Sequence, residues 1–273
     1  MLKFISVCLF SISSLFAAFT PFLDCVSKDW TSEHTLEVAD FIKAYNRNHF
    51  SKVIPSEKPR IPKVIHHIWL GGKVPDVFLR YIHSWKRHHP KWEHILWTDK
   101  DIGSFPLITG NKIYETTNLG QRSDIFRLEI LFRYGGLYVD TDFLCLKPHD
   151  ILHHTCDFYV GLLQTIALNS FIASKAGHPL IKNYLLEINK INCFSKEYKQ
   201  ILHDTGPYLL NKMLHEFLKD TDEGIMVFPE LYQYAFPSLY RFQFWESQNL
   251  NLVRRYLTPL AFSVHLWATS WRK

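Results

Sequence analysis

Cysteine is scarce in this chain: its 273 residues include five, and no two of them are close in sequence. Zinc sites built on cysteine pairs are therefore excluded, because their ligands come at short spacings. The five are Cys8, Cys25, Cys145, Cys156 and Cys193. Cys8 lies in an apolar leader. The other four leave two possibilities open, which are two disulfides in an exported protein or buried free thiols.

Three further absences narrow the class of protein. There is no run of basic residues, and 31 Lys and Arg against 26 Asp and Glu give a net charge of only +5, so we expect no nucleic-acid partner. There is no Asn-x-Ser/Thr acceptor, so nothing supports residence in a glycosylating lumen. No repeat or low-complexity tract is present. The 47% of hydrophobic residues is ample for one α/β core of about 200 residues.

Charge is missing from Phe4 to Leu23, a stretch of 20 residues that follows Lys3. It is just long enough to span a bilayer, although its serines make it only modestly apolar. An Ala-x-Ala-like cleavage site is also missing. We therefore predict a signal-anchor or a signal peptide at residues 1–23, with an apolar N-terminal helix of a soluble protein as the third possibility. Either of the first two would export the rest of the chain, membrane-anchored or secreted.

The most informative pattern lies at residues 134–142, which read Tyr-Gly-Gly-Leu-Tyr-Val-Asp-Thr-Asp. Side chains alternate along a strand, so Asp140 and Asp142 should project to the same side, where two close carboxylates are costly without a cation. Mg²⁺ and Mn²⁺ prefer carboxylate and phosphate oxygens, and they often bind through one or two carboxylates plus a substrate's phosphates. The pair therefore predicts a metal-diphosphate site, although an Asp-x-Asp can also be an ordinary surface turn.

The context favours the site over the surface turn. Residues 137–139 are apolar without alternation, as in a strand covered on both faces of a parallel α/β sheet, and ligands of such sheets bind beyond the carboxyl ends of the strands. Just upstream, 118–134 reads as a helix ended by Gly135. Asp124 and Arg127 share a face of that helix. They form an ordinary surface ion pair, or Arg127, one helix before the acidic metal site, binds a phosphate or a departing diphosphate.

The rest of the chain predicts alternating strands and helices, hence right-handed crossovers and a mostly parallel sheet. The predicted elements are a strand at 63–70 followed by a glycine turn, a helix at 76–88, a strand at 92–98, a strand pair at 158–163 and 169–174, and helices at 178–191 and 206–218. We expect His66 and His67 to be buried and structural. Trp69 at a strand end and Asn169 could each face a ligand or serve packing and turn formation. The aromatic run at 231–244 receives no catalytic role.

Three motifs of this sequence resemble those of a known family. The block Gln121-Arg-Ser-Asp-Ile-Phe-Arg, followed by the 134–142 pattern, is similar to the DXD sugar-binding region of glycosyltransferase family 32. That family includes fungal mannosyltransferases, inositol-phosphoceramide mannosyltransferases and the catalytic domains of clostridial glucosylating toxins. Ile61-Pro-Lys-Val-Ile-His-His-Ile-Trp-Leu-Gly-Gly resembles its opening strand, and Val264-His-Leu-Trp-Ala-Thr-Ser-Trp271 resembles its closing segment. The three motifs span about three quarters of the chain.

The resemblance implies a GT-A fold, a nucleotide-diphospho-sugar donor (UDP or GDP), Mn²⁺ or Mg²⁺, and transfer with retention of configuration. It implies that Trp69 stacks on the base, that Asp124 hydrogen-bonds the donor sugar, and that Arg127 contacts sugar or phosphate. It also implies that Asp140 binds the ribose or sugar hydroxyls and, partly through water, the metal. Asp142 would bind the metal directly, and His265 would be a further ligand. The remaining donor-binding residues that we predict are Tyr138, Asn169, Ser270 and Trp271.

We therefore predict a stem or linker at 24–60 and a single GT-A glycosyltransferase domain at 61–273. The predicted reaction is metal-dependent transfer of a hexose to an acceptor hydroxyl on a glycan, a lipid or a protein, with Asp124, Arg127, Asp140 and Asp142 as the catalytic set. No carboxylate is placed as a covalent nucleophile, so the hypothesis is front-face attack. The alternatives are a metal-dependent phosphoesterase, which would need ligands for two ions, and a non-catalytic sugar-binding or Ca²⁺-binding module.

Overall fold

The computed structural model describes residues 19–269. Most of the predicted leader and the predicted donor-binding residues Ser270 and Trp271 lie outside the described residues. Between residues 19 and 269, no helix combines the length and the apolarity needed to cross a bilayer.

The described chain is organised around a six-stranded sheet. Its strands are β1 (Val64–Ile68), β2 (Glu93–Trp97), β3 (Gly136–Val139), β5 (Phe158–Leu163), β6 (Ile166–Ser174) and β7 (Ile225–Phe228), in the order β2-β1-β3-β6-β5-β7. Only β6 runs against the others in this sheet, because β1 pairs in parallel with β2 and β3, and β5 pairs in parallel with β7. The predicted mostly parallel sheet is confirmed. A small antiparallel sheet pairs β4 (Phe143–Cys145) with β8 (Ser263–His265).

The described helices surround the sheets. They are α1 (Ser32–Glu37), α2 (Ala39–Asn48), α3 (Asp76–His88), α4 (Asp99–Ile102), α5 (Lys112–Glu115), α6 (Leu119–Tyr134), α7 (Asp150–Thr155), α8 (Pro179–Asn189), α9 (Tyr198–Asp204), α10 (Pro207–Asp220), α11 (Arg241–Ser247) and α12 (Leu250–Arg254). The predicted helix at 76–88 agrees with α3, and the predicted strand pair agrees with β5 and β6. The two predicted helix starts place Pro179 and Pro207 in the first turns of α8 and α10.

Helix α6 has the predicted ends, and its C-terminal end determines where strand β3 begins. Asn118 caps its start by accepting the Gln121 N–H at 3.0 Å. Gly135 ends it with φ of 63°, in the left-handed region. A Cβ at this glycine would lie 2.6 Å from the backbone nitrogen of Ala176. Residue 135 must therefore be glycine, and the chain enters β3 directly after the helix.

His66 and His67 are buried in β1 and have structural partners, as predicted. His66 Nδ1 accepts the Trp97 indole N–H at 3.1 Å, so its Nε2 carries the hydrogen and donates to Gly135 O at 2.8 Å. His67 Nδ1 lies 2.9 Å from Val139 O. Burial lowers the pKa of His66 to about 4 and that of His67 to about 3, so both rings are neutral at physiological pH. They tie β1 to both ends of β3.

Part of the segment predicted as a stem lies against the sheet. In α2, Phe41, Ala44 and Tyr45 are fully buried, and this helix packs on β7. The Asn48 amide donates to Ile225 O at 2.9 Å, and its oxygen accepts the Gly224 N–H at 3.1 Å. The edge strand β7 is therefore covered by the helix that precedes the domain. The boundary at residue 60 stays a prediction.

The structure shows what the aromatic run does and in which state the cysteines are. In the aromatic run, Tyr232, Tyr234, Phe236 and Phe244 are buried in the core, so most of the run serves packing. The four described cysteines are free thiols: Cys25, Cys145 and Cys156 are buried, and Cys193 is exposed.

Candidate active site

A cleft of about 320 Å³ opens where β1 and β3 end. Residues after both strands form its floor and one wall, the first half of α6 forms another wall, and the ends of β8 and α9 and the start of α10 complete it. The lining residues include Trp69, Leu119, Ser123, Asp124, Arg127, Asp140, Asp142, Asn169, Leu202, Pro207, His265 and Thr269. A cleft beyond the carboxyl ends of parallel strands is the usual ligand position in such sheets, as we predicted.

The acidic pair meets His265 in this cleft. Ligand atoms of Asp140, Asp142 and His265 all lie within 4.8 Å of one another. The two carboxylates converge as predicted, but for a different reason. β3 ends at Val139, so they sit in the turn before β4 and are not held by strand alternation. His265 comes to them because it pairs with Phe143 in the β4–β8 ladder.

Asp142 is held in its charged form. Its Oδ2 accepts the Ala268 N–H at 2.7 Å and lies 3.2 Å from His265 Nε2. Burial alone would raise the pKa of Asp142, but His265 and the Ala268 N–H outweigh it, and the pKa lies below its usual value. Its backbone oxygen also accepts the Leu266 N–H at 3.0 Å.

The pKa of Asp140 is shifted in the opposite direction. Its Oδ1 accepts the Tyr138 hydroxyl at 2.5 Å and lies 3.6 Å from Arg127 Nη1. Burial raises the pKa of Asp140, and the Asp142 charge adds to the effect, although Arg127 and Tyr138 oppose it. The pair therefore behaves as two coupled carboxyl groups, of which Asp142 ionises first.

The predicted pair of Asp124 and Arg127 exists, with 2.9 Å between Asp124 Oδ1 and Arg127 Nη2, and both side chains are buried. The surface alternative is therefore excluded. Arg127 also donates from Nη1 to Asn169 O at 2.5 Å and from Nε to Ser123 O at 3.2 Å, and it lies 4.4 Å above the Tyr138 ring. Its guanidinium thus joins α6, β3 and β6 at the cleft floor.

Asp124 has two further donors, from distant parts of the chain. Asn169 Nδ2 donates to its Oδ1 at 2.9 Å, and Thr205 Oγ1 donates to its Oδ2 at 2.9 Å. Burial nevertheless raises its pKa to about 6, against the effects of Arg127, Thr205 and Asn169. Thr205 was not among the predicted site residues. Its signals in the sequence are its position before Gly206-Pro207 at a helix start and the family resemblance, which places that helix start near the active site.

Trp69 and Tyr138 have different positions relative to the cleft. Trp69 follows β1, is half-buried and lines the cleft, with its ring 4.9 Å from that of Phe78. Tyr138 is buried below the cleft, where its hydroxyl bonds Asp140. Asn169 lines the cleft, but its amide is turned towards Asp124.

A second group of potential metal ligands, His89, Cys145 and His149, lies in the core. His89 is already satisfied at both nitrogens, because Nδ1 lies 3.1 Å from Trp85 O and Nε2 accepts the His149 N–H at 2.8 Å. Burial raises the pKa of the Cys145 thiol far above its usual value, so the thiolate that a metal needs is disfavoured. His89 and His149 pack against the Trp85 ring, at 5.8 Å and 5.1 Å between ring centroids.

Comparison with known proteins gives consistent matches. Residues 75–158 match the family described as "Glycosyltransferase sugar-binding region containing DXD motif". The chain is 30% identical to inositol phosphoceramide mannosyltransferase 1 of Schizosaccharomyces pombe, over 65% of this chain and 58% of that protein. It is 25% identical to inositol phosphoceramide mannosyltransferase 3 of the same yeast, over 80% of this chain and 63% of that protein. It thus spans less than two thirds of these relatives.

Among solved structures, the fold is similar to that of "PaToxG Glycosyltransferase", with a TM-score of 0.53 and 20% identity, over 69% of this chain and 81% of that one. The predicted GT-A fold and the predicted resemblance to DXD glycosyltransferases are confirmed. The chain is homologous to the inositol phosphoceramide mannosyltransferases.

Proposed function

We propose that this protein is a metal-dependent glycosyltransferase that moves a hexose from a nucleotide-diphospho-sugar to an acceptor hydroxyl, with retention. The homologues and the fold support the glycosyltransferase class. The observation that carries the finer proposal is the convergence of Asp140, Asp142 and His265 beside Arg127 in one cleft.

The donor set fits Mn²⁺ or Mg²⁺. Two carboxylates supply the hard oxygen ligands that these ions prefer, and an imidazole is an acceptable third ligand. His265 Nδ1 is buried and has no hydrogen-bond partner in the described chain, so the ring can turn without losing a bond at that atom. Asp140, Asp142 and His265 would hold the ion, and when bound it would supply positive charge for a departing diphosphate.

The protein's own groups have separate tasks in this proposal. Arg127 faces the cleft with a buried positive charge and stabilises negative charge that develops on the leaving group. Asp124, fixed by Arg127, Asn169 and Thr205, accepts hydrogen bonds from donor hydroxyls and orients the sugar. Trp69 offers an aromatic face to the base. Tyr138 acts through Asp140 as a positioning residue.

Retention is proposed to proceed by front-face attack of the acceptor hydroxyl. The carboxylates among the described cleft residues are Asp124, Asp140 and Asp142, and each has hydrogen-bond or ion-pair partners that fix it for another task. A covalent glycosyl adduct trapped on any of these three, detected by mass spectrometry of the denatured enzyme, would contradict this step.

The relatives bear mannosyltransferase names, so mannose is the first sugar to test, and a lipid or a glycan is the first acceptor class. We further propose that the N-terminal segment exports the domain and holds it at a membrane. The uncharged stretch from Phe4 to Leu23 supports that proposal.

The test is hydrolysis and transfer with a panel of UDP- and GDP-sugars, with and without Mn²⁺. We expect one sugar nucleotide to be consumed, with release of its nucleoside diphosphate, and we expect EDTA to abolish this. Hydrolysis of simple phosphoesters without donor preference would favour the phosphoesterase. Binding of a sugar with no diphosphate released would favour a binding module.

A further inference from the structure

Large apolar side chains are exposed in the segment that follows the aromatic run. Leu239 is 73% exposed and Phe242 is 67% exposed, and Leu250 is 38% exposed at the start of α12. All three lie within residues 238–254, in which the chain leaves the aromatic core and returns towards β8. Exposed apolar side chains that are grouped in this way mark an interaction surface, because their contact with water is unfavourable.

Contacts connect residues 238–254 to the cleft wall. Trp245, one helical turn after Phe242, packs on Phe78 at 5.4 Å and meets Tyr81 edge-on at 6.0 Å. Phe78 lines the cleft and touches Trp69. Gln248 accepts a hydrogen bond from the Tyr81 hydroxyl at 3.1 Å. Helices α3 and α11 therefore form one continuous surface at the side of the cleft that carries Trp69.

Exposed cations lie on α3 and at the end of α12, and Tyr256, next to Arg255, packs on Tyr240 with 5.4 Å between the rings. The exposed positions of α3 include Arg80, Lys86 and Arg87, and α12 ends in the exposed Arg254 and Arg255. None of these five cations has an ion-pair partner among residues 19–269. The carboxylates on α3 and in 238–256 are Asp76 and Glu246. Unpaired cations around exposed Phe and Leu are the composition of interfacial membrane-binding elements.

We propose that the face formed by α3, α11 and α12, together with Leu239, docks on an anionic lipid surface. Phe242 and Leu239 enter the boundary between headgroups and acyl chains, and Arg254 and Arg255 contact anionic headgroups. The cleft mouth beside Trp69 then lies at the level of the headgroups. Arg241 already lies 4.4 Å over the Phe242 ring. An acidic protein would satisfy the arginines but would leave the exposure of Phe242 and Leu239 without a reason, so the lipid surface is favoured.

The first test follows the environment of Phe242 in the full chain. A cysteine is introduced as Phe242→Cys in a background with Cys8→Ser and Cys193→Ser, because the other three cysteines are buried, and it is labelled with an environment-sensitive fluorophore. Leu36→Cys on α1, at a side chain that is 79% exposed, is the matched control. With phosphatidylcholine vesicles containing phosphatidylserine, we expect a blue shift of emission at residue 242 and none at residue 36.

The second test measures docking as the blue shift of a fluorophore at Leu239→Cys in the same cysteine background, because cosedimentation of the full chain would also report binding through the predicted signal-anchor at 1–23. Each positive charge near an anionic surface is worth about fivefold in partitioning, so Arg254→Glu with Arg255→Glu should lower binding by at least about 25-fold. Lys182→Glu with Lys219→Glu, exposed on α8 and α10, is the matched charge control and should change binding much less. Phe242→Ser should lower binding as well.

Two results would overturn the proposal. One is a label at residue 242 that stays in water while the protein is bound to vesicles, which would assign binding to another segment. The other is vesicle binding that depends on Arg254 and Arg255 but not on Phe242. Such binding would be electrostatic adsorption alone, which an acidic macromolecule would provide equally well. Donor hydrolysis measured without vesicles should be unaffected by Phe242→Ser, so failure of this inference can be distinguished from failure of the proposed function.

Discussion

Replacing Asp142 by asparagine tests the metal assignment with the least disturbance of the fold. Asp142 Oδ2 accepts the Ala268 N–H at 2.7 Å, and an amide can accept that hydrogen only through its oxygen. The amide oxygen of the new side chain must therefore occupy the Oδ2 position, which turns the NH₂ group to the place of Oδ1. An NH₂ group donates hydrogens and does not bind a cation, so the substitution removes both a charge and a ligand atom.

The expected loss is large in activity and small in stability. A site of three ligands that loses one should lose at least about 10³-fold in kcat/KM, equivalent to about 4 kcal/mol of transition-state stabilisation. The Ala268 and Leu266 hydrogen bonds survive, because they need only an acceptor oxygen and the backbone of residue 142. The Tm should therefore stay close to that of the unsubstituted protein.

The assay is Mn²⁺-dependent release of nucleoside diphosphate from the preferred donor, together with titration of Mn²⁺ by tryptophan fluorescence in the presence of UDP or GDP. Asp220→Asn, at an exposed position at the end of α10, is the control for loss of one negative charge. If Asp142→Asn turned over at close to the normal rate and needed Mn²⁺ at the usual concentration, the assignment of Asp142 as a metal ligand would be wrong.

Three other changes test the surroundings of the metal site. Arg127→Lys keeps the charge but cannot reach Asp124, Asn169 and Ser123 together, so it should lower kcat more than it weakens donor binding; equal effects on both would indicate a purely structural arginine. Thr205→Val removes a donor to ionised Asp124 and should move the acid limb of the pH–rate profile upwards from about 6 by roughly one unit, and an unmoved limb would exclude this role. His66 and His67 have pKa values lowered to about 4 and about 3, so their contribution to stability is complete above about pH 6.5 and is lost as the pH falls. At pH 5 each ring should lower the free energy of unfolding by roughly 2 kcal/mol. A Tm that does not change between pH 7.5 and 5 would contradict this.

Local patterns predicted the elements that position the cleft. The glycine stop after a long amphipathic segment predicted the end of α6, and the unbroken apolar run predicted the buried β3, because both features depend on residues adjacent in sequence. The Asp124–Arg127 pair was predicted for the same reason, since helix geometry fixes residues three apart. Its burial was not predicted, because burial depends on Asn169 of β6 and on Thr205, which reach Asp124 from distant parts of the chain.

Contacts between distant segments were the part that the residues alone could not predict. Thr205 reaches Asp124 from the other side of the cleft, and nothing in the spacing between them indicates the contact. His265 was predicted as a metal ligand only through family resemblance, because the β4–β8 pairing that brings it to Asp142 depends on the tertiary fold. Tyr138 was predicted as a donor contact, whereas strand geometry turns it below the cleft to support Asp140.

The acidic pair is asymmetric, and the asymmetry explains how two close carboxylates can be part of a stable fold. Asp142 is held charged by a backbone N–H and by His265, whereas burial and the neighbouring charge raise the pKa of Asp140. The protein therefore avoids the full repulsion of two adjacent negative charges, because Asp140 can take up a proton more readily than Asp142. Asp142 also fixes the C-terminal segment through Leu266 and Ala268. The carboxyl group with the lowered pKa is thus the one that also anchors the C-terminal segment, whereas Asp140 is anchored by the Tyr138 hydroxyl.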